Sequence, residues 1–117
     1  MRRIIKLNTE RRFEAAHFIP NHKAACKHLH GHSYKVLIAI AGVMDKEGIL
    51  VDFGDIKKIV DRFDHSYLND TFKFPSAENL ARYFALKLLH LQDNLLEVTV
   101  TVYETENSCA TSTVGRE

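Results

Sequence analysis

The sequence predicts an α+β fold, an antiparallel sheet with two helices on one face. Three observations lead there. Strand-like alternation with period two runs over Arg3–Ile19, again over HSYKVLIAIAG, and again from Leu95 to Glu104. From Gly54 the period changes to the helical 3.6, and two helical segments follow one another before alternation returns. Strand runs that precede and follow a pair of adjacent helices are the pattern of an α+β sheet.

The first strand, RIIKLNTERRFEAAHFI (Arg3–Ile19), is long and has room for a bulge near its charged middle. Phe13, Ala15 and His17 share one of its faces, because successive side chains point to opposite sides. A loop through Pro20 and Asn21 leads to Cys26. The second strand, HSYKVLIAIAG, puts Tyr34, Val36, Ile38 and Ile40 on the face shared by His30 and His32. Its other face carries Leu37, Ala39 and Ala41, and burial of that face by self-association would account for two apolar sides. MDKEG is a turn and ILVDF a short third strand. DIKKIVDRF forms a short amphipathic helix with Asp55 in its first turn, where an acidic group meets the positive end of the helix dipole. In FPSAENLARYFALKLLHL, Ser76 fits an N-cap, Glu78 the first turn, and Leu80, Phe84, Leu88 and Leu91 the buried stripe, with DN closing the helix. LLEVTVTVYE alternates as a strand, and CATSTV adds a short last one. The expected order is β-β-β-α-α-β-β.

A chain of 117 residues, 45% hydrophobic and 26% charged, is read as one soluble domain spanning residues 1–117. A net charge of +1 shows no basic excess for a nucleic-acid backbone. No apolar run approaches the roughly 20 residues that span a bilayer, and no charged-then-apolar leader is present, so the expected location is cytoplasmic. Cys26 and Cys109 are not expected to pair, since small domains that rely on disulfides carry more cysteines. Cys109 reads as a small apolar residue near the last strand.

The stretch ACKHLHGHSY holds one of the two cysteines and three of the seven histidines. His30 and His32 are two apart and project the same way from a strand, with Gly31 leaving the other side free of bulk. If the first two strands pair antiparallel, His17 arrives at the same end. Three imidazoles suit zinc with an open fourth position, and without a nearby carboxylate ligand the ion would keep its full charge. Spacing alone leaves His28 and Cys26 open as further ligands; His22 and His90 read as surface residues. Beside a cation, Cys26 would lose its proton readily, and it serves either as a base or nucleophile or as a fourth structural ligand. Asp64 and His65 close the first helix as a carboxylate next to an imidazole. Neighbouring side chains diverge, so the sequence does not show them bonded, and a histidine at a helix C-terminus is the alternative. Glu104 continues the inward parity of Val98, Val100 and Val102, and a carboxylate turned toward a core needs a partner. That partner is a protein donor or a ligand with two N–H groups, unless the strand end emerges into water.

Taken together, FEAAH, C-x-x-x-H-G-H, VDFGDIK, DHSYLND, PSAEN and VYETE resemble, in content and order, the 6-pyruvoyltetrahydropterin synthases and their 6-carboxytetrahydropterin synthase relatives. The blocks run from about Phe13 to Glu106. The resemblance implies the tunnelling fold, a four-stranded antiparallel sheet with two helices that assembles into trimeric barrels, often stacked as hexamers. It implies one Zn2+ per subunit on His17, His30 and His32, Cys26 as proton acceptor, and Asp64 with His65 tuning it, in relatives from a neighbouring subunit. Glu104 matches the acid that anchors the pterin ring, and Ser76 stands where relatives often have a substrate-binding threonine. The implied substrate is 7,8-dihydroneopterin triphosphate. Four positions from Cys26 to His30 resemble the queuosine-pathway carboxy branch, which forms 6-carboxytetrahydropterin with loss of acetaldehyde and triphosphate. The alternative is the pyruvoyl branch, which eliminates triphosphate alone; a folate-directed branch generally has glutamate in the region of Cys26.

Overall fold

The computed structural model describes residues 3–21 and 28–116. Cys26 and His22 lie outside them. Strands β1 (Ile5–His17) and β2 (His30–Gly42) are followed by helix α1 (Phe53–Asp61), a two-residue strand β3 (Ser66–Tyr67), helix α2 (Ala77–Leu89), and strands β4 (Leu95–Thr105) and β5 (Ser108–Gly115). The sheet order is β3-β1-β2-β4-β5. The four long strands are antiparallel; β3 adds a short parallel pairing to β1 at its edge.

Pairing of β1 with β2 is continuous from Ile5↔Gly42 to His17↔His30, so the room for a bulge near the charged middle of β1 is not used. Alternation removes the need for it. Glu10, Arg12 and Glu14 point away from the helices and are exposed, and inward-facing Arg11 meets Asp61 of α1 at 3.0 Å. Phe13, Tyr34, Val36, Ile38, Ile40, Val98 and Val100 form the sheet side of the core. Ile56, Val60, Leu80, Phe84 and Leu88 cover it from the helices.

ILVDF is not a strand. Leu50 and Val51 are buried as expected of an apolar run. The Leu50 carbonyl is satisfied by the side-chain amides of Gln92 and Asn94, each at 3.0 Å, rather than by a neighbouring strand. Asp52 then caps α1, accepting from the Gly54 amide at 2.8 Å, so the helix starts two residues before the predicted DIKKIVDRF and ends two before its last residue. Ser76 caps α2 as predicted, its Oγ accepting from the Asn79 amide at 3.2 Å, and α2 stops at Leu89, before the expected DN. Cys109 is exposed on β5, not an apolar filler. Among the described residues, no helix is long and apolar enough to cross a membrane.

Candidate metal centre

The unbroken β1–β2 register decides the site. It places His17 directly opposite His30 and Ala15 opposite His32, so three imidazoles from two strands meet on the helix side of one sheet end. Glu104 completes the group, and one ligand atom from each of the four residues lies within 4.8 Å of the others. Glu104 arrives by a local irregularity. The β4–β5 register shifts between Tyr103 and Thr105, leaving Glu104 as the extra residue on its strand, and such bulges re-aim a side chain. Its carboxylate comes to 3.1 Å from His32 Nε2 and 3.8 Å from His17 Nε2. The expectation of three imidazoles without a nearby carboxylate is therefore corrected. A carboxylate at this distance takes up part of the charge that a bound cation would bring.

Hydrogen bonds on the far side of two rings settle their tautomers. His17 is fully buried, and its Nδ1 is 2.7 Å from the Pro75 carbonyl and 3.1 Å from the Tyr34 hydroxyl. The His30 Nδ1 is 2.6 Å from the His28 carbonyl. A carbonyl only accepts, so each Nδ1 carries the hydrogen and each Nε2 presents a lone pair. Those two Nε2 atoms are 3.0 Å apart. In this tautomer they cannot bond each other and repel unless a cation bridges them. His32 Nε2 is buried and, although Glu104 is 3.1 Å away, makes no well-aligned hydrogen bond among the described residues, a cost that a metal bond would remove. Carbonyl-held imidazoles with Nε2 turned inward are the usual arrangement around a metal ion. The three imidazole nitrogens fit zinc and leave a fourth position open, with the Glu104 carboxylate beside it. Burial pushes the His32 pKa down, against the raising effect of Glu104 and with help from His17 and His30. The neutral, ligating form is favoured. The Tyr34 hydroxyl, buried beside Glu104, is held protonated well above its ordinary range.

Asp64 and His65 lie beyond α1 in a turn, so His65 is not a helix-terminal histidine. Their side chains do meet, with His65 Nδ1 3.1 Å from Asp64 Oδ2. The backbone explains how. His65 has a positive φ of 59°, which turns its side chain back from the divergence expected of neighbours. The turn is pinned to β1, since the Glu14 amide donates to Asp64 Oδ1 at 2.8 Å and the His65 amide donates to the Glu14 carbonyl at 2.6 Å. The bond from the Glu14 amide is the main cause holding the Asp64 carboxyl below its usual value; partial desolvation opposes it, and the His65 imidazole assists. The His65 side chain is 80% exposed, outside the four-residue group, and it lines a shallow depression of about 460 Å³ with Glu14, Gly31, His32 and Ser33.

His28 lends its carbonyl rather than its ring, and exposed His90 follows the last turn of α2. The Ser76 hydroxyl is engaged as a helix cap, while Ala77, Glu78 and Glu104 line one cavity of about 440 Å³ with Thr105 and Cys109. Sequence reasoning passed over three contributors. Tyr34 was detectable, as it shares parity with His30 and His32; Glu78 had been assigned only to the helix dipole. The Pro75 carbonyl carried no signal, because a fold contact 58 residues away brings it to His17.

The chain has counterparts among known proteins. Residues 6–114 match the family described as 6-pyruvoyl tetrahydropterin synthase. The chain belongs to that family. Among curated relatives, a 6-carboxy-5,6,7,8-tetrahydropterin synthase of Bacillus subtilis is 47% identical over 68 residues, 56% of this chain and 47% of that protein. The matched stretch thus spans about half of that relative. A Synechocystis protein of the same name is 34% identical over 88 residues, 65% of this chain and 68% of its own. A solved 6-pyruvoyltetrahydropterin synthase from Plasmodium vivax superposes with a TM-score of 0.74 at 23% identity, covering 97% of this chain and 99% of that one. At that identity the likeness establishes the fold, which is the tunnelling fold of the 6-pyruvoyl tetrahydropterin synthase family.

Proposed function

We propose that the chain is a zinc-dependent lyase that converts 7,8-dihydroneopterin triphosphate and water to 6-carboxy-5,6,7,8-tetrahydropterin, acetaldehyde and triphosphate. The product would enter queuosine (7-deazapurine) biosynthesis in the cytoplasm. The observation that carries the reading is the inward-facing His17, His30 and His32 beside Glu104, in a chain whose relatives bear the 6-carboxy name. His17, His30 and His32 would hold Zn2+, which when bound supplies a Lewis acid to polarise the hydroxyl oxygens of the substrate side chain. Glu104 accepts two hydrogen bonds from the amidine-like edge of the pterin and fixes its orientation. Cys26, outside the described residues, takes the carbon-bound proton as thiolate. His65, oriented by Asp64, passes protons during tautomerisation; its exposure suits service to its own site or to that of a second copy. Ser76 and its neighbours border the pterin end. The half-apolar sheet face with Leu37 and Ala39, opposite the helices, supports assembly into barrels and a hexamer of two trimers.

The deciding experiment incubates wild type and Cys26→Ala with dihydroneopterin triphosphate, measuring acetaldehyde, triphosphate and zinc content. Wild type should release both products, and the variant should retain zinc while losing orders of magnitude in turnover. Triphosphate with a pyruvoyl product and no acetaldehyde would reassign the chain to 6-pyruvoyltetrahydropterin synthesis. A fully active Cys26→Ala would indicate a zinc hydrolase, and pterin binding without product a non-catalytic protein.

A further inference from the structure

Strands β2 and β4 pair from Gly42 as far as Lys35↔Tyr103 and then part. Beyond that point β2 continues with β1 to His30 while β4 turns off through the Glu104 bulge. The gap is a cleft of about 560 Å³. At its inner end are His32 and Glu104, both members of the metal group; at its outer end are Arg12, Lys35 and Tyr103. Arg12 is the register partner of Lys35, and Lys35 that of Tyr103, so the three stand in a row across β1, β2 and β4 on the sheet face away from the helices.

Two cations directly opposite on neighbouring strands destabilise a sheet unless something negative lies between them. Glu10 answers only part of this, holding the Nε of Arg12 at 3.1 Å. The Nη donors of Arg12 and the ammonium of Lys35 have no carboxylate partner among the described residues. Lys35 is instead stationed over the Tyr103 ring, 4.5 Å from its centroid, a contact that limits its motion without neutralising it. The cleft is therefore polarised. Carboxylates of Glu104 and Glu106 lie along the β4 side, and opposite them lie Arg12, whose Nη donors are free beyond its pair with Glu10, and Lys35, which has no carboxylate partner among the described residues.

We infer that Arg12 and Lys35 form a subsite for a polyphosphate chain, reached from the metal group through the gap between β2 and β4. As a statement about substrate, this rests on the pterin triphosphate reading above. The guanidinium offers a planar pair of donors and the ammonium a point charge, both suited to phosphate oxygens. Glu104 adds the repulsive half of the selection, since a phosphate chain turned toward it would meet a like charge. The substrate thus has one way to lie, with its ring at Glu104 and its phosphates at Lys35.

The test uses zinc-loaded Arg12→Gln, Lys35→Met and the double variant. Arg12 is exposed and Lys35 half-buried, and melting temperatures within a few degrees of wild type confirm folding. Each single change should raise KM for dihydroneopterin triphosphate about tenfold, and the pair about a hundredfold, the lower range for charge-assisted hydrogen bonds in a screened site. Inhibition by phosphate-free neopterin should not change, and Lys35→Arg should restore most of the affinity. An unchanged KM in the double variant, or an equal loss of neopterin affinity, would overturn the subsite while leaving the lyase reading intact. If wild type turns over no pterin at all, calorimetric titration with inorganic triphosphate decides separately. Binding to wild type that is lost in the double variant supports the subsite, and equal or absent binding in both refutes it.

Discussion

Replacing Glu104 by glutamine separates its proposed role in pterin binding from its place beside the metal group. The carboxylate lies 3.1 Å from His32 Nε2 and is 26% exposed, so it is both near the metal group and open to a ligand. Glutamine keeps the shape and one acceptor but puts an amide N–H where, in the proposed reading, a pterin N–H would donate. One charge-assisted hydrogen bond is lost and one donor is left facing a donor, which together cost about 3 kcal/mol. At 1.36 kcal/mol per decade, kcat/KM should fall about a hundredfold. Zinc should stay bound, since three imidazole nitrogens remain. In metal-free protein, NMR titration of the His32 ring should show its already depressed pKa depressed further, because Glu104 is the one neighbour that raises it. Steady-state kinetics, zinc content and that titration are three independent readouts. Loss of zinc together with activity would make Glu104 a required ligand and refute the separation. Unchanged kcat/KM with zinc bound would remove it from pterin recognition.

Tyr34→Phe keeps the ring stacked on Phe13 at 4.7 Å and removes only the hydroxyl near His17; zinc affinity should drop about tenfold in competition with a chelator, as for loss of an outer-shell partner. Ser76→Ala removes the α2 cap and should cost about 1 kcal/mol, read as a melting temperature about 4 °C lower; a change in KM without that drop would point to substrate contact instead. Gly42→Ala would set a Cβ against the Asn94 carbonyl oxygen and Leu50, backbone and core that cannot yield freely, so a loss of roughly 2–3 kcal/mol is expected by chemical denaturation. The metal-free protein should also lose stability on acidification. His32 titrates lower when folded than the ordinary 6.5, so the unfolded chain takes up the proton first; stability is full above 6.5 and falls as pH drops below it. Asp64, also depressed, adds a smaller loss nearer its own range because it is exposed. Thermal melts of His32→Gln should lack the first of these declines.

Alternation made the inner half of the site legible. Side-chain direction along a strand is a local property of the backbone, so His30, His32 and Tyr34 had to share a face, as did Phe13, Ala15 and His17. The Ser76 cap was legible for the same reason, since its hydrogen bond spans only three residues. ILVDF was misread because an apolar run reports burial, and burial was reached here with side-chain amides in place of a strand partner. The pairing of Asp64 with His65 needed a positive φ that the turn against Glu14 imposes.

By itself, then, the amino-acid order determined which side chains point together within each segment, and so named the three imidazoles, the inward glutamate and the helix caps. Only the folded chain decided that His17 faces His30 rather than a residue two places along. It alone brought the Pro75 carbonyl to His17, swung Glu104 through a bulge toward His32, and opened the cleft to Arg12 and Lys35. Direction within a strand follows from covalent geometry, whereas register and bulges are chosen by the burial of the whole core, a sum over contacts that no short stretch contains.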